Sequence, residues 1–292
     1  MRIEEGVELA RHTTLGTGGP AKAFARPESQ SELEELLRWA RARSLGVAVV
    51  GLGSNLLVAD AGVDLLVLKL AGELAAVEIE GDVLRVGGGA ANAVALHRAR
   101  AAGLGAFEFA CAIPGTIGGG IWMNAGAYGG DFAGVLERAL VATADGSGWL
   151  TAAELGLRYR HSALRHGQVV LRAELRLRPR PPDEIKADVR ELNARRKVAQ
   201  PTNRRTFGSV FKNPDHELSA GRTLEACGLK GHRIGGAQIS PKHANFIENA
   251  NDASTANAIA LMAEARRRAH EQYGIRLEHE VEFLGGLELP DL

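Results

Sequence analysis

The segment CAIPGTIGGGIWMNAGAYGGD, residues 111–131, holds seven glycines, one proline and a single charged side chain, and no other feature constrains the chain as strongly. With so little side chain, the backbone itself becomes the contact surface. Such a surface suits a glycine-rich crossing between packed elements, or close approach to a flat aromatic or pyrophosphate group. Pro114 and Gly115 set a turn and Thr116 carries a hydroxyl. Gly118 to Gly120 are expected to leave N–H groups free.

A second glycine cluster, Gly51, Gly53, Ser54 and Asn55, follows the apolar run Val47 to Val50. Glycines at this point permit φ > 0, so successive N–H groups can turn inward as a phosphate nest; a plain tight turn satisfies the same pattern. A dinucleotide fold of the Rossmann type would require Gly at position 56 and an immediate helix. Position 56 is Leu56 and the continuation LLVADAGVDLLVLKL is strand-like, which excludes that fold, and the absence of GKS or GKT excludes a P-loop.

Charge and cysteine usage narrow the function class. The 292 residues carry 35 Lys+Arg against 35 Asp+Glu, a formal charge of +0, so no electrostatic footprint for nucleic acid or an anionic membrane is present. Cys111 and Cys227 lack metal-ligand spacing, so no metal site is expected, and two isolated cysteines fit a reducing, cytoplasmic compartment. The opening MRIEEGVELARHTTLG is acidic where a secretory leader is basic, and no apolar run reaches membrane-spanning length.

Periodicity predicts a helix over 31–43, with Ser31 and Glu34 as a capping box and Leu33, Leu36, Leu37 and Ala40 on one face. Short strands follow around 47–50, in LLVLKL and in VLRVGGG, then a helix in AANAVALHRARAAG. Leu171, Ala173, Leu175 and Leu177 alternate with charged residues and predict a half-buried strand. The prolines of RPRPP at 178–182 mark a boundary, beyond which Ile185, Val189 and Leu192 line a helix. A helix capped at Ser254 or Thr255 and ended by Gly274 carries Ile259, Met262, Ala269 and Tyr273 as its apolar positions. LEHEVEFLG reads as a final strand with Glu278, Glu280 and Glu282 sharing one face. The fold class expected from this alternation of short strands and few helices is α+β.

Seven blocks in order carry a resemblance covering nearly the whole chain. They are TTLGTGGPA at 13–21, VVGLGSNLLVAD at 49–60, IPGTIGGGIWMNAGAYGGD at 113–131, RYRHSALR at 158–165, GSVFKNP at 208–214, GLKGHRIGGAQISPKHANFIEN at 228–249 and LEHEVEFLG at 277–285. Together they resemble the UDP-N-acetylenolpyruvoylglucosamine reductase family, flavoenzymes of bacterial wall synthesis. The resemblance implies a two-subdomain FAD-binding domain of the vanillyl-alcohol-oxidase type, 1–67 and 68–181, followed by a substrate-binding α+β domain, 182–292. Because 48 positions separate Arg160 from Gly208, the chain resembles the shorter type of the family, which lacks an inserted loop whose Tyr covers the substrate.

The implied reaction is NADPH-dependent reduction of UDP-N-acetylglucosamine enolpyruvate through FAD, in a cytoplasmic monomer. Gly51, Gly53, Ser54, Asn55, Leu56, Pro114, Gly115, Thr116, Gly118, Gly119, Asn124, Gly126 and Ala127 fall where the family holds FAD. Arg160 matches the residue that polarises the substrate carboxylate, a task suited to a planar, permanently charged guanidinium, with Tyr159 beside it. Ser209 matches the proton donor, although a serine hydroxyl is a poor acid unless its alkoxide is stabilised or promptly reprotonated. Glu280 matches the family's C-terminal carboxylate; chemistry alone does not separate it from Glu278 and Glu282, and only the HEV context selects it. Lys197, Gln200, Lys212, Asn213, His243 and Asn245 fall where the sugar nucleotide is expected, while His243 equally suits a packed, hydrogen-bonded histidine. Two other readings remain: an FAD oxidase of the same flavin fold, and a non-catalytic flavin or UDP-sugar binding protein.

Overall fold

The computed structural model describes residues 2–292, and its elements fall into two units that interleave along the chain. One unit takes the residues up to Glu5, then Ala23–Leu52 and Asp64–Arg196; the other takes Gly6–Lys22, Gly53–Val63 and Lys197–Leu292. Where the sequence predicts linear segments 1–67, 68–181 and 182–292, non-local strand pairing draws short early pieces into the later unit. Leu56–Val58 pairs in parallel with Glu282–Leu284, and the Ala59 N–H donates to the Leu284 carbonyl at 2.9 Å.

In the first unit a small sheet includes Ile3–Glu4 and Gly46–Val49, the latter parallel to Leu65–Leu68. The helix Gln30–Arg41 lies on it and buries Leu33, Leu36, Leu37 and Ala40, the four residues its periodicity selects. Its cap differs from the expected one. Ser29 accepts from the Glu32 N–H at 3.2 Å, and the Glu32 carboxylate accepts from the Glu28 N–H at 3.0 Å. Ser31 already lies inside the first turn, where its hydroxyl cannot face the orphan N–H groups.

The larger sheet of this unit is antiparallel, ordered Gly146–Thr151, Leu136–Thr143, Val169–Arg176, Val83–Gly87 and Val77–Glu80. Its central strand departs from the predicted alternation. Leu140 pairs with Arg172 but Val141 with Val170, so Leu171 is the extra residue of a bulge. The bulge turns Val169 and Leu171 towards the core of the small sheet, while Val170, Ala173 and Leu175 face the core formed with Asn92–Ala101 and Ile117–Trp122. The strand is therefore buried on both faces rather than half-solvated. Glu174, 7% exposed, is held between Arg138 and Arg85, and the Arg138 guanidinium keeps its carboxyl below the usual range.

The second unit is built on a four-stranded antiparallel sheet, ordered Thr206–Ser209, Phe246–Asn249, Ala237–Ile239 and Arg233–Ile234. The helices Ala220–Ala226 and Thr255–Tyr273 close its core. Ser254 and Asn257 form a reciprocal capping box on the longer helix, and Gly274 ends it at φ 67°. Ala258, Leu261, Met262, Ala265 and Ala269 are the buried stripe, whereas Ile259 is only partly covered and Tyr273 is exposed. The predicted last strand shrinks to Glu282–Leu284. Glu278 and Glu280 precede it in irregular chain, so the three carboxylates do not share one strand face. No helix among the described residues is long and apolar enough to cross a membrane.

Candidate active site

The glycine-rich segment 111–131 contains a six-residue helix, Ile117–Trp122, and a tight hairpin pairing Gly126–Ala127 with Gly130–Asp131. The glycines are required by contact. A Cβ on Gly120 would lie 2.2 Å from the Phe132 ring, and one on Gly51 would lie 2.5 Å from the Thr116 hydroxyl. The expected free N–H groups are mostly engaged: Gly118 donates to the Gly88 carbonyl and Gly120 to that of Thr116, each at 2.8 Å. Gly119 is held only by the Thr116 hydroxyl at 3.4 Å, a long bond that leaves it the most available donor. Pro114 precedes Gly115, whose carbonyl accepts from the Asn92 N–H at 3.0 Å.

Asn124, 2% exposed with φ 40°, binds three ways inside the fold. Its amide donates to Asp131 and to the Arg158 carbonyl and accepts from the Ala133 N–H at 2.8 Å. It thereby ties the glycine segment to the turn that presents Arg160. That turn is tight: Arg158 and His161 exchange backbone bonds at 3.0 Å, and Arg160 sits at φ 51°. Arg160 donates from Nη2 to the Gly126 carbonyl at 2.9 Å, and its Cζ lies 5.0 Å from the ring centroid of the exposed Tyr159. Arg160 thus combines a left-handed non-glycine backbone with a tethered guanidinium.

In the second unit, Gly53 at φ 66° has no room for a Cβ, which would fall 2.0 Å from the His12 carbonyl. Ser54, Asn55 and Leu56 continue from it into the strand Leu56–Val58. Asn55 donates from Nδ2 to the Glu280 carbonyl at 3.1 Å, and the Glu280 N–H donates to the Val210 carbonyl at 2.8 Å. Ser209 immediately precedes Val210 and follows Gly208, whose φ of 88° turns the strand end. Residues 225 positions apart are thus joined beside Ser209: the segment from Gly53 to Asn55, the strand Thr206–Ser209 and the C-terminal HEV segment meet.

The other predicted residues sort by what holds them. Asn245, 4% exposed, accepts from the Phe211 N–H at 3.0 Å and donates to the Phe211 carbonyl at 2.8 Å, taking the place of a neighbouring strand. Lys212 lies 3.5 Å from Glu278, and Asn213 accepts from the Ala220 N–H at the start of the helix Ala220–Ala226. His243 accepts from the Asn245 N–H, and burial together with the nearby Lys230 charge lowers its pKa. The Lys197 carbonyl receives Lys242 Nζ at 2.5 Å, and the Gln200 carbonyl accepts from Thr202.

Two residues near these sites escaped the sequence reading. Asn92 is 1% exposed; its amide donates to the Ile113 carbonyl while its Oδ1 is buried without a hydrogen bond. Only its polarity at a helix start in an apolar neighbourhood could have signalled it. Lys230 pairs with Glu225 at 2.5 Å, close enough to bias His243. The residues fit FAD: a Gly119 N–H weakly held, an orphaned Asn92 oxygen and a Gly51 backbone that admits no side chain suit a flavin's polar oxygens and phosphates better than a sealed apolar crossing.

Comparison with known proteins agrees with this arrangement. Residues 21–149 match the FAD binding domain family, and residues 200–284 match the UDP-N-acetylenolpyruvoylglucosamine reductase C-terminal domain. The chain is 44% identical to UDP-N-acetylenolpyruvoylglucosamine reductase 2 of Symbiobacterium thermophilum, over 97% of this chain and 92% of that one. It is 46% identical to the reductase of Anaeromyxobacter dehalogenans strain 2CP-C, over 95% and 84% of the two chains. The solved UDP-N-acetylenolpyruvylglucosamine reductase of Thermus caldophilus superposes with a TM-score of 0.85 at 38% identity, covering 98% of this chain and 100% of that one. By matched domains, relatives and backbone alike, the chain belongs to the UDP-N-acetylenolpyruvoylglucosamine reductases, FAD-dependent oxidoreductases of peptidoglycan precursor synthesis.

Proposed function

We propose that this reductase takes its electrons from NADPH and protonates UDP-N-acetylglucosamine enolpyruvate from Ser209, with Arg160 and Glu280 as the other catalytic residues. Bound FAD would supply the hydride-transfer chemistry between NADPH and the vinyl group of the substrate. Gly51, Gly53 to Leu56, Pro114 to Thr116, Gly118, Gly119, Gly126 and Ala127 would hold it, and Asn124 keeps the loop in shape.

Hydride addition leaves negative charge on the carbon system conjugated with the substrate carboxylate. Arg160 is suited to hold that charge, because its guanidinium is permanently charged and is anchored on the Gly126 carbonyl. Ser209 delivers the proton to the carbon bearing the ether oxygen. The Glu280 carboxylate assists its reprotonation, and the observation that carries this pairing is the 2.8 Å bond from the Glu280 N–H to the carbonyl of Val210, next to Ser209. Lys212, Asn213, Lys197 and Gln200 receive the nucleotide with Tyr159. His243, kept neutral by burial, offers a hydrogen bond rather than a charge. Asn245 acts as a positioning residue for the Ser209 strand. The same reading places the enzyme in the cytoplasm as a monomer.

Anaerobic stopped-flow absorbance of the flavin band tests the proposal. Ser209→Ala should be reduced by NADPH at nearly the wild-type rate, while reoxidation by the enolpyruvyl ether slows by about 10²–10⁴-fold, the usual contribution of a general acid. Equal loss in both half-reactions would remove Ser209 from the proton-donor role.

A further inference from the structure

A cleft of about 450 Å³ in the second unit is lined by Arg204, Arg233, Gln238, Lys242, Glu248 and Asn249 and is used by no step above. It lies on the sheet face turned from the helices: Ala237, Ile239 and Ile247 point into the core, so Gln238 and Glu248, which pair across the two strands, point the other way. Ser209 is not among its lining residues: it pairs with Phe246, two residues along the strand from Glu248, or about 7 Å.

The charges within it do not cancel. Glu248, 5% exposed, has Arg204 Nε at 3.9 Å, so one cation answers one carboxylate. Arg233 donates from Nη2 to the Gln238 Oε1 at 3.1 Å, and Lys242 donates from Nζ to the Lys197 carbonyl at 2.5 Å. Both partners are neutral, and among the described residues no carboxylate lies within ion-pair distance of either cation. Gln238 is itself fixed by donating to the Gly231 carbonyl at 3.1 Å, so its oxygen holds the Arg233 fork in place. A concave surface with two uncompensated cations, one a pre-set guanidinium, matches a dianionic phosphoryl group in charge and donor geometry. Its volume falls within the range of small-molecule sites and is too small for a macromolecular partner.

We infer that this cleft binds a phosphate-bearing small molecule, held by Arg233 and Lys242, at a site separate from the reductase centre. Inorganic phosphate species and phosphorylated metabolites share the recognised chemistry. Calorimetric titration of inorganic pyrophosphate into the FAD-loaded protein at low ionic strength reads the site. R233Q/K242Q should weaken binding by about tenfold or more, as loss of two charge-assisted contacts requires, whereas Lys212→Gln should leave it within about twofold. Arg233 and Lys242 are both exposed, so the double variant should fold, and K242R, which keeps the Arg233 fork and both charges, should retain most of the affinity. Displacement of pyrophosphate by orthophosphate at lower concentration than by AMP assigns an inorganic ligand; the reverse order assigns an organic phosphate. No saturable heat, or binding that survives R233Q/K242Q and vanishes in Lys212→Gln, overturns the inference. Neither result bears on the reductase half-reactions, so the two readings fail independently.

Discussion

Replacing Asn245 by alanine isolates how one buried amide holds the strand that carries Ser209. The amide supplies both bonds of the Phe211 peptide, 3.0 Å from the N–H and 2.8 Å to the carbonyl, at a residue 1% exposed. Alanine leaves that N–H and carbonyl buried without partners, at about 1–3 kcal/mol each, or ~4 kcal/mol together. At about 2–4 °C per kcal/mol for a chain of this size, the midpoint of thermal unfolding should fall by about 8–16 °C. The neighbouring Val210 carbonyl anchors the Glu280 N–H, so the same change should lower kcat/KM by about tenfold at temperatures well below unfolding, through the flavin reoxidation step. Asn245→Asp keeps the acceptor and loses the donor, and its midpoint should fall between wild type and alanine. A shift under about 3 °C in differential scanning calorimetry would refute the energetic argument. A full shift with unchanged reoxidation would refute the positioning argument.

Other perturbations follow from single contacts. Gly51→Ala sets a Cβ 2.5 Å from the Thr116 hydroxyl, so the purified variant should carry less than half the flavin absorbance per protein of wild type; full occupancy would show that the two loops can part harmlessly. His243 has a pKa lowered in the folded state, so the unfolded chain binds its proton more readily. The resulting stability is present above the ordinary value of 6.5 and is lost as pH falls below it towards the folded pKa. His243→Gln should therefore flatten that part of a denaturation profile, and an unchanged slope between pH 6.5 and 5 would count against a neutral, buried imidazole. Burial raises the Cys111 thiol pKa while Arg196 opposes the rise, so alkylation by iodoacetamide at neutral pH should be slow and Arg196→Ala should slow it further. Faster labelling of that variant would mean that Arg196 shields Cys111 rather than charging its surroundings.

Much of this molecule is legible in its residues. The stripe Leu33, Leu36, Leu37 and Ala40 locates the first helix because 3.6-residue periodicity is local. The ordered motifs identify the family because spacing survives where individual glycines carry little information. Bulges and caps were less accessible. Leu171 leaves the alternation only because a partner strand is one residue shorter there, and nothing within its own strand signals that. Ser31 matches a capping box by spacing, yet the helix begins two residues earlier on Ser29, because helix ends are set by packing as well as by local pattern. The expected carboxylate face failed for a related reason: LEHEVEFLG alternates perfectly, yet only Glu282–Leu284 finds a partner strand. The bonds that Asn245, placed by the resemblance with the sugar nucleotide, and Asn92 make inside the fold are not legible, since polarity does not reveal whether an amide will replace a missing peptide partner.

The interleaving of the two units sets a timetable for synthesis. Thr14 donates to the Thr206 carbonyl at 2.7 Å across 192 residues, and Leu56–Val58 waits for Glu282–Leu284. At about 5–20 residues per second, the Thr14 segment leaves the ribosome roughly 10–40 s before its acceptor exists. During that interval the apolar Leu15, Leu57 and Val58, each fully buried in the finished protein, have no core to enter. The nascent chain thus spends most of its translation with two orphan segments interrupting the sequence of a nearly complete flavin-type unit, and it is there that chaperone contact or misassembly should concentrate.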